Sequence, residues 1–179
     1  LVDSVSKRYS ACGARLGCVA SRNAAVVEAA ARYGQARLSP PSVSEHGLIA
    51  LLDEPDAEAQ VQGMVDRFRA RRDAFCEAIR GVPGVACRAP DGAFYAIGTR
   101  PVDDAERCCA WLLRDFDLDG QTVQLAPAAD FYATPGRGAD QVRVAFVLHR
   151  KALRRCVAIL QAALAAYPGA RQPAPAASR

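Results

Sequence analysis

The chain has 179 residues, 51% of them hydrophobic, with 23 basic and 19 acidic residues giving a formal net charge of +4. That is enough apolar material for one domain or slightly more, and no apolar run is long enough to cross a membrane as a helix. The arginines are scattered among acids, with no block interleaved with aromatics, so the charge does not imply a nucleic-acid partner.

Residues 1–38 read as a loop around Lys7, a strand over 16–20, and a helix capped by Asn23 that runs through Tyr33. Ser39-Pro40-Pro41 breaks this pattern and predicts a boundary. A helix follows, with Val43, Leu48, Ile49, Leu51 and Leu52 on its apolar side. Asp53-Glu54-Pro55-Asp56 is a helix start, with acids and a proline in the first turn. The helix it opens reaches Arg80, with Val61, Met64, Val65, Phe68, Phe75 and Ile79 at helical spacing, and is long enough to bridge two lobes. The basic run from Arg67 to Arg72 reads as its solvated face, and Gly81-Val82-Pro83-Gly84 ends it.

Strands are predicted over 85–87 and 93–97, on either side of the turn Pro90-Asp91-Gly92. A helix over 104–116, strands near 122–125 and 142–147, and an amphipathic helix carrying Leu153, Val157, Leu160 and Leu164 complete the pattern. The Gly/Pro/Ala/Ser tail after Pro168 reads as disordered. The order of elements is α/β at the start and α+β afterwards, with no internal repeat.

The seven cysteines (12, 18, 76, 87, 108, 109 and 156) include no CxxC pair, and His46 and His149 stand isolated, so no metal site is predicted. They read as small buried hydrophobes in a reducing, cytoplasmic setting.

Only two of the 23 basic residues are lysines, Lys7 and Lys151, which leaves 21 arginines. Arginine stays protonated, whereas a desolvated lysine can lose its proton and attack a carbonyl. Lys7 stands in Ser4-Val5-Ser6-Lys7, followed by Gly13-Ala14-Arg15-Leu16-Gly17. This spacing resembles the cofactor-lysine segment of fold-type I pyridoxal-phosphate enzymes, and most of all the class I/II, aspartate aminotransferase-like branch. The resemblance implies that Lys7 links to the aldehyde of pyridoxal 5'-phosphate and that Ser4 and Arg15 contact its phosphate. A hydroxyl and a planar guanidinium suit a phosphate dianion. Gly13 and Gly17 would let the backbone pass close to the cofactor.

A second match lies downstream, in Val123-Gln124-Leu125-Ala126-Pro127-Ala128, Phe131-Tyr132-Ala133-Thr134-Pro135-Gly136 and Gln141-Val142-Arg143-Val144-Ala145-Phe146. Alternation puts Val142, Val144 and Phe146 on one face of a strand and Arg143 on the other. Taken alone, Arg143 is more simply an ion-pair partner of Asp140 or Asp130. The family resemblance, supported by the intervening Pro-Asp-Gly-Ala-Phe-Tyr, implies instead that Arg143 binds the substrate α-carboxylate. Phe94 and Tyr95 line the substrate side or belong to the core. Arg37 reaches a substrate or a partner subunit, or pairs on the surface, while Arg8 and Arg22 read as solvated.

The fold implied is the α/β, fold-type I pyridoxal-phosphate-dependent transferase fold, of which this is a C-terminal portion. Residues 1–38 would be the end of the large domain, 39–82 connecting helices, 83–168 the small α+β domain and 169–179 a disordered tail. The implied reaction is transamination between an amino acid and a 2-oxo acid by a cytoplasmic homodimer. In the family, the aspartate facing the cofactor's ring nitrogen, the aromatic stacked on the ring and most phosphate donors precede the lysine. The 179 residues alone are therefore expected to be inactive. The alternatives are a fold-type I lyase or decarboxylase, a cofactor-sensing domain of a transcription regulator, and a non-catalytic α+β interaction domain.

Overall fold

The computed structural model describes residues 1–171, and the contacts divide the chain into two compact units between Val65 and Asp66. The first unit opens on an antiparallel hairpin. Strands β1 (Val2–Ser4) and β2 (Gly17–Val19) pair with Val2 opposite Val19 and Ser4 opposite Gly17. Between them lie the short helix α1 (Val5–Arg8) and a 3-10 turn (Cys12–Ala14). Val5 and Leu16 are the buried side chains of the hairpin, and the Val5 N–H donates to the Leu16 carbonyl at 3.3 Å. β2 is the strand predicted over 16–20. Its partner β1 falls where only a loop was predicted, because three residues are too few to display an alternation.

Helix α2 (Ala24–Arg37) starts at the predicted cap, with the Asn23 side chain accepting from the Ala25 N–H at 3.0 Å. It runs four residues past Tyr33 and is followed by α3 (Ser42–Asp53). Neither helix buries a residue. Of the predicted apolar side of α3, Val43, Ile49 and Leu52 are 87%, 55% and 59% exposed.

Helix α4 (Ala57–Arg80) contains the division between the units. The division falls inside the helix read as bridging two lobes. Its buried residues, Ala74, Phe75, Cys76 and Ile79, all lie in its C-terminal part.

The second unit contains β3 (Ala86–Cys87), β4 (Tyr95–Thr99), α5 (Ala105–Arg114), β5 (Ala126–Pro127), β6 (Gln141–Ala145) and α6 (Arg150–Ala166). The sheet order is β3-β4-β6-β5, antiparallel throughout. Ala96, Val142 and Phe146 lie on one face and are buried with side chains of α4, α5 and α6, among them Phe75, Leu112, Leu153 and Leu160. Fully burying a leucine or phenylalanine contributes about 1.5–3 kcal/mol, so this layer is the main source of the unit's stability. The other face carries Tyr95, Ile97, Thr99, Gln141 and Arg143, none of them buried. One helix-covered face and one open face make this an α+β arrangement, as predicted.

Three details differ from the sequence reading, each for a local reason. The strand predicted from Ala93 begins at Tyr95, because Ala93 has φ +55° and still belongs to the turn. No strand forms over 122–125. The Thr122 hydroxyl donates to the Leu112 carbonyl at 2.7 Å, which ties this stretch to the end of α5, and pairing with β6 starts at Ala126. β5 is an edge strand, where Pro127 costs no ladder bond. Residues 169–171, predicted as the start of a disordered tail, are paired. Asp103 N–H donates to the Gly169 carbonyl at 2.9 Å, Ala170 bridges Val102, and Arg171 N–H donates to the Pro101 carbonyl at 2.7 Å. The rest of that tail lies outside the described residues.

All seven cysteines are free. Cys76, Cys108 and Cys109 are buried as predicted, and burial pushes their thiols up. Cys12 and Cys18, in the hairpin, are exposed instead. Among the described residues no helix is long and apolar enough to cross a membrane.

Candidate active site

The hairpin of the first unit carries three of the four predicted site residues. Ser4 ends β1 and caps α1. Its hydroxyl oxygen accepts from the Ser6 N–H at 3.1 Å, and the hydroxyl donates to the Leu16 carbonyl at 3.2 Å. That cap and the buried Val5 fix the start of α1, and Lys7 is exposed in its last turn. Arg15 closes the 3-10 turn with φ +56°, a left-handed conformation that costs a residue with a side chain about 1–3 kcal/mol. Its Nη1 donates to the Cys12 carbonyl at 3.0 Å, and no acid pairs with it among the described residues. Arg8, read as solvated, pairs with Asp3 at 2.6 Å, so the acid of the hairpin is taken by Arg8 and not by Arg15.

The two glycines of the motif separate. A Cβ at Gly13 would meet nothing within 4 Å, whereas one at Gly17 would stand 2.9 Å from the Asp3 carbonyl oxygen. The close approach predicted at Gly17 therefore has a cause inside the fold: the partner strand.

Arg143, the fourth residue, lies in the second unit on the open face of the sheet, opposite Ile97 on β4 and Ala126 on β5. The ion pairs considered with Asp130 and Asp140 do not form; among the described residues its guanidinium has no acid partner. Its charge is met by two aromatic rings, with the guanidinium carbon 4.6 Å from the Tyr95 centroid and 4.5 Å from that of Phe131. Phe94 belongs to the core side, stacked on Phe68 at 5.2 Å. Tyr95 is an aromatic for which the sequence leaves open a lining or a core position. Phe131 was missed, because it sits in a 3-10 turn (Ala129–Phe131) where no periodicity marks its direction.

These groups have the chemistry for a covalently held, phosphate-bearing ligand and a carboxylate. Lysine offers an amine nucleophile, Ser4 and Arg15 a hydroxyl and a cation without an acid, and Arg143 a second such cation on a strand. The sequence profile of the family described as aminotransferase class I and II matches residues 1–127, a span that includes Ser4, Lys7 and Arg15 and stops short of Arg143. The aspartate aminotransferase of Rhizobium meliloti is 28% identical over 146 residues, covering 75% of this chain and 34% of the relative. The LL-diaminopimelate aminotransferase of Nitratidesulfovibrio vulgaris is 34% identical over 143 residues, covering 75% and 33%. The chain thus spans about a third of the length of the curated relatives it matches.

Among solved structures, LysN, the alpha-aminoadipate aminotransferase of Thermus thermophilus complexed with N-(5'-phosphopyridoxyl)-L-leucine, superposes with a TM-score of 0.79 at 23% identity. That match covers 92% of this chain and 41% of that one. An aminotransferase from Mycobacterium tuberculosis does so with a TM-score of 0.75 at 25% identity, covering 90% and 40%. The fold is that of these enzymes over a C-terminal portion of their length, and the chain belongs to the class I and II aminotransferase family.

Proposed function

We propose that the protein formed by the complete reading frame transfers an amino group from an amino acid to a 2-oxo acid, with pyridoxal 5'-phosphate as cofactor. The observation that carries this reading is one hairpin that carries Lys7, Ser4 and Arg15, the last with no acid partner among the described residues, in a chain of this family. Those residues fit the cofactor: an amine for its aldehyde, a hydroxyl and an unneutralised guanidinium for its phosphate.

When bound, the cofactor supplies an electron sink for the bond broken at the substrate Cα. Lys7 Nζ would hold it covalently and would serve as the group that carries the proton at the substrate Cα. Ser4 Oγ and Arg15 would hold the phosphate. Arg143 would take the substrate carboxylate through two parallel N–H donors and so orient the substrate.

A cytoplasmic homodimer belongs to the same proposal. Apolar side chains left exposed on α3, Val43, Ile49 and Leu52, support an assembly in which that helix is covered. Nothing in the described residues favours a lyase, a decarboxylase or a regulatory domain.

The test is product analysis. With cofactor, an amino acid and a 2-oxo acid, the complete protein is expected to release the oxo acid matching the amino donor. Lys7→Ala is expected to slow this about 10²–10⁴-fold. Release of carbon dioxide with the amine, or an unchanged rate in Lys7→Ala, would contradict the proposal.

A further inference from the structure

Arg143 stands on an open sheet face with no acid beside it among the described residues, and neutral rings take the place of a counter-ion. The sheet explains how. Ile97 is directly opposite Arg143, so Tyr95, two residues away on β4, shares its face at a diagonal position within reach of a long side chain. Phe131 ends the 3-10 turn that follows β5, so it approaches from the strand on the other side of β6.

That turn is held independently of Arg143. Phe131 N–H donates to the Ala128 carbonyl at 3.0 Å, and the Tyr132 hydroxyl bonds the Gln141 side-chain oxygen at 2.6 Å. Gly138 is packed so closely that a Cβ there would stand 2.6 Å from the Tyr132 ring. The neighbours of Phe131 therefore fix its place, rather than its own burial, since it is 52% exposed.

We infer that Tyr95 and Phe131 are positioning residues for the carboxylate-binding arginine, holding its guanidinium between two π faces in place of an acid. This rests on the reading of Arg143 given above. An arginine paired with an aspartate must give up that pair to receive a substrate carboxylate. One held by rings keeps its full charge and loses little side-chain freedom when the carboxylate arrives. Leucine at either position keeps the bulk and removes the π face, whereas phenylalanine at 95 or tyrosine at 131 keeps both.

The experiment uses the complete protein loaded with pyridoxal 5'-phosphate and titrated calorimetrically with succinate, a carboxylate with no amino or oxo group to react. Tyr95→Leu and Phe131→Leu are each expected to raise the succinate dissociation constant about three- to tenfold. Tyr95→Phe and Phe131→Tyr are expected to stay within about twofold of the unmodified protein, a rescue that a merely structural role would not give. The amino-acid KM should rise in the leucine variants with kcat little changed, as when ground-state and transition-state binding are lost alike. If Arg143→Leu weakens succinate about a hundredfold while the leucine variants bind it normally, the rings do not position Arg143 and the inference is overturned. If Arg143→Leu itself leaves succinate binding unchanged, Arg143 is not the carboxylate site and the inference falls with that reading.

Discussion

Gly17 shows how a residue next to a chemical motif can be required by the backbone alone. It lies opposite Ser4 in the hairpin, and its missing side chain lets β2 approach the Asp3 carbonyl. Gly17→Ala forces one strand to shift and is expected to cost about 1–3 kcal/mol. Gly13→Ala, with open space around it, is expected to stay within about 0.5 kcal/mol. Urea unfolding of the two variants checks the contrast. The sequence motif could not separate these glycines, because the atom that distinguishes them belongs to a residue 14 positions away. Arg143 was legible for the opposite reason: alternation along one strand is local and put it across from Val142 and Val144. Its neighbours were only half legible, since Tyr95 lies on a strand and Phe131 in a turn.

Among elements, helices were read more accurately than strands. α2, α4, α5 and α6 carry caps or apolar spacing that the sequence displays, while β1, β3 and β5 span two or three residues and are defined by partners far along the chain. The end of α6 is secured in a way the sequence did not reveal. The Tyr167 hydroxyl donates to the Asp103 carboxylate at 2.9 Å, just ahead of α5. This bond, with help from the Asp104 N–H and Arg107, holds the Asp103 carboxyl below its usual range. Burial first, and then the bond to Asp103, pushes Tyr167 up to about 12.

The signs of these two shifts give opposite windows. The lowered Asp103 contributes stability above the ordinary carboxylate pKa, and that contribution is lost as pH falls through the folded value. The raised Tyr167 contributes below its ordinary value near 10 and loses it as pH rises towards about 12. Tyr167→Phe is therefore expected to be less stable than the unmodified chain at pH 7, with the gap closing at pH 3. Urea midpoints at the two pH values test this, and a gap of equal size at both would count against the bond.

At the scale of the whole molecule, each unit carries its own part of the proposed residues. Ser4, Lys7 and Arg15 belong to the first, and Arg143 with its rings to the second. The family, the C-terminal position within it and the α+β character of the second unit were legible because the lysine segment and the strand around Arg143 are short, local patterns. The division within α4 leaves no mark in that helix's own spacing.

The measurement that bears most directly on the role of Lys7 is made on the complete protein. It is incubated with pyridoxal 5'-phosphate, reduced with borohydride and digested, and the modified peptide is identified by mass spectrometry. One phosphopyridoxyl adduct on Lys7, with Lys151 unmodified, is the expected result. A folded protein with Lys7 unmodified, or with the adduct on Lys151, would contradict the assignment of Lys7 as the residue that holds the cofactor.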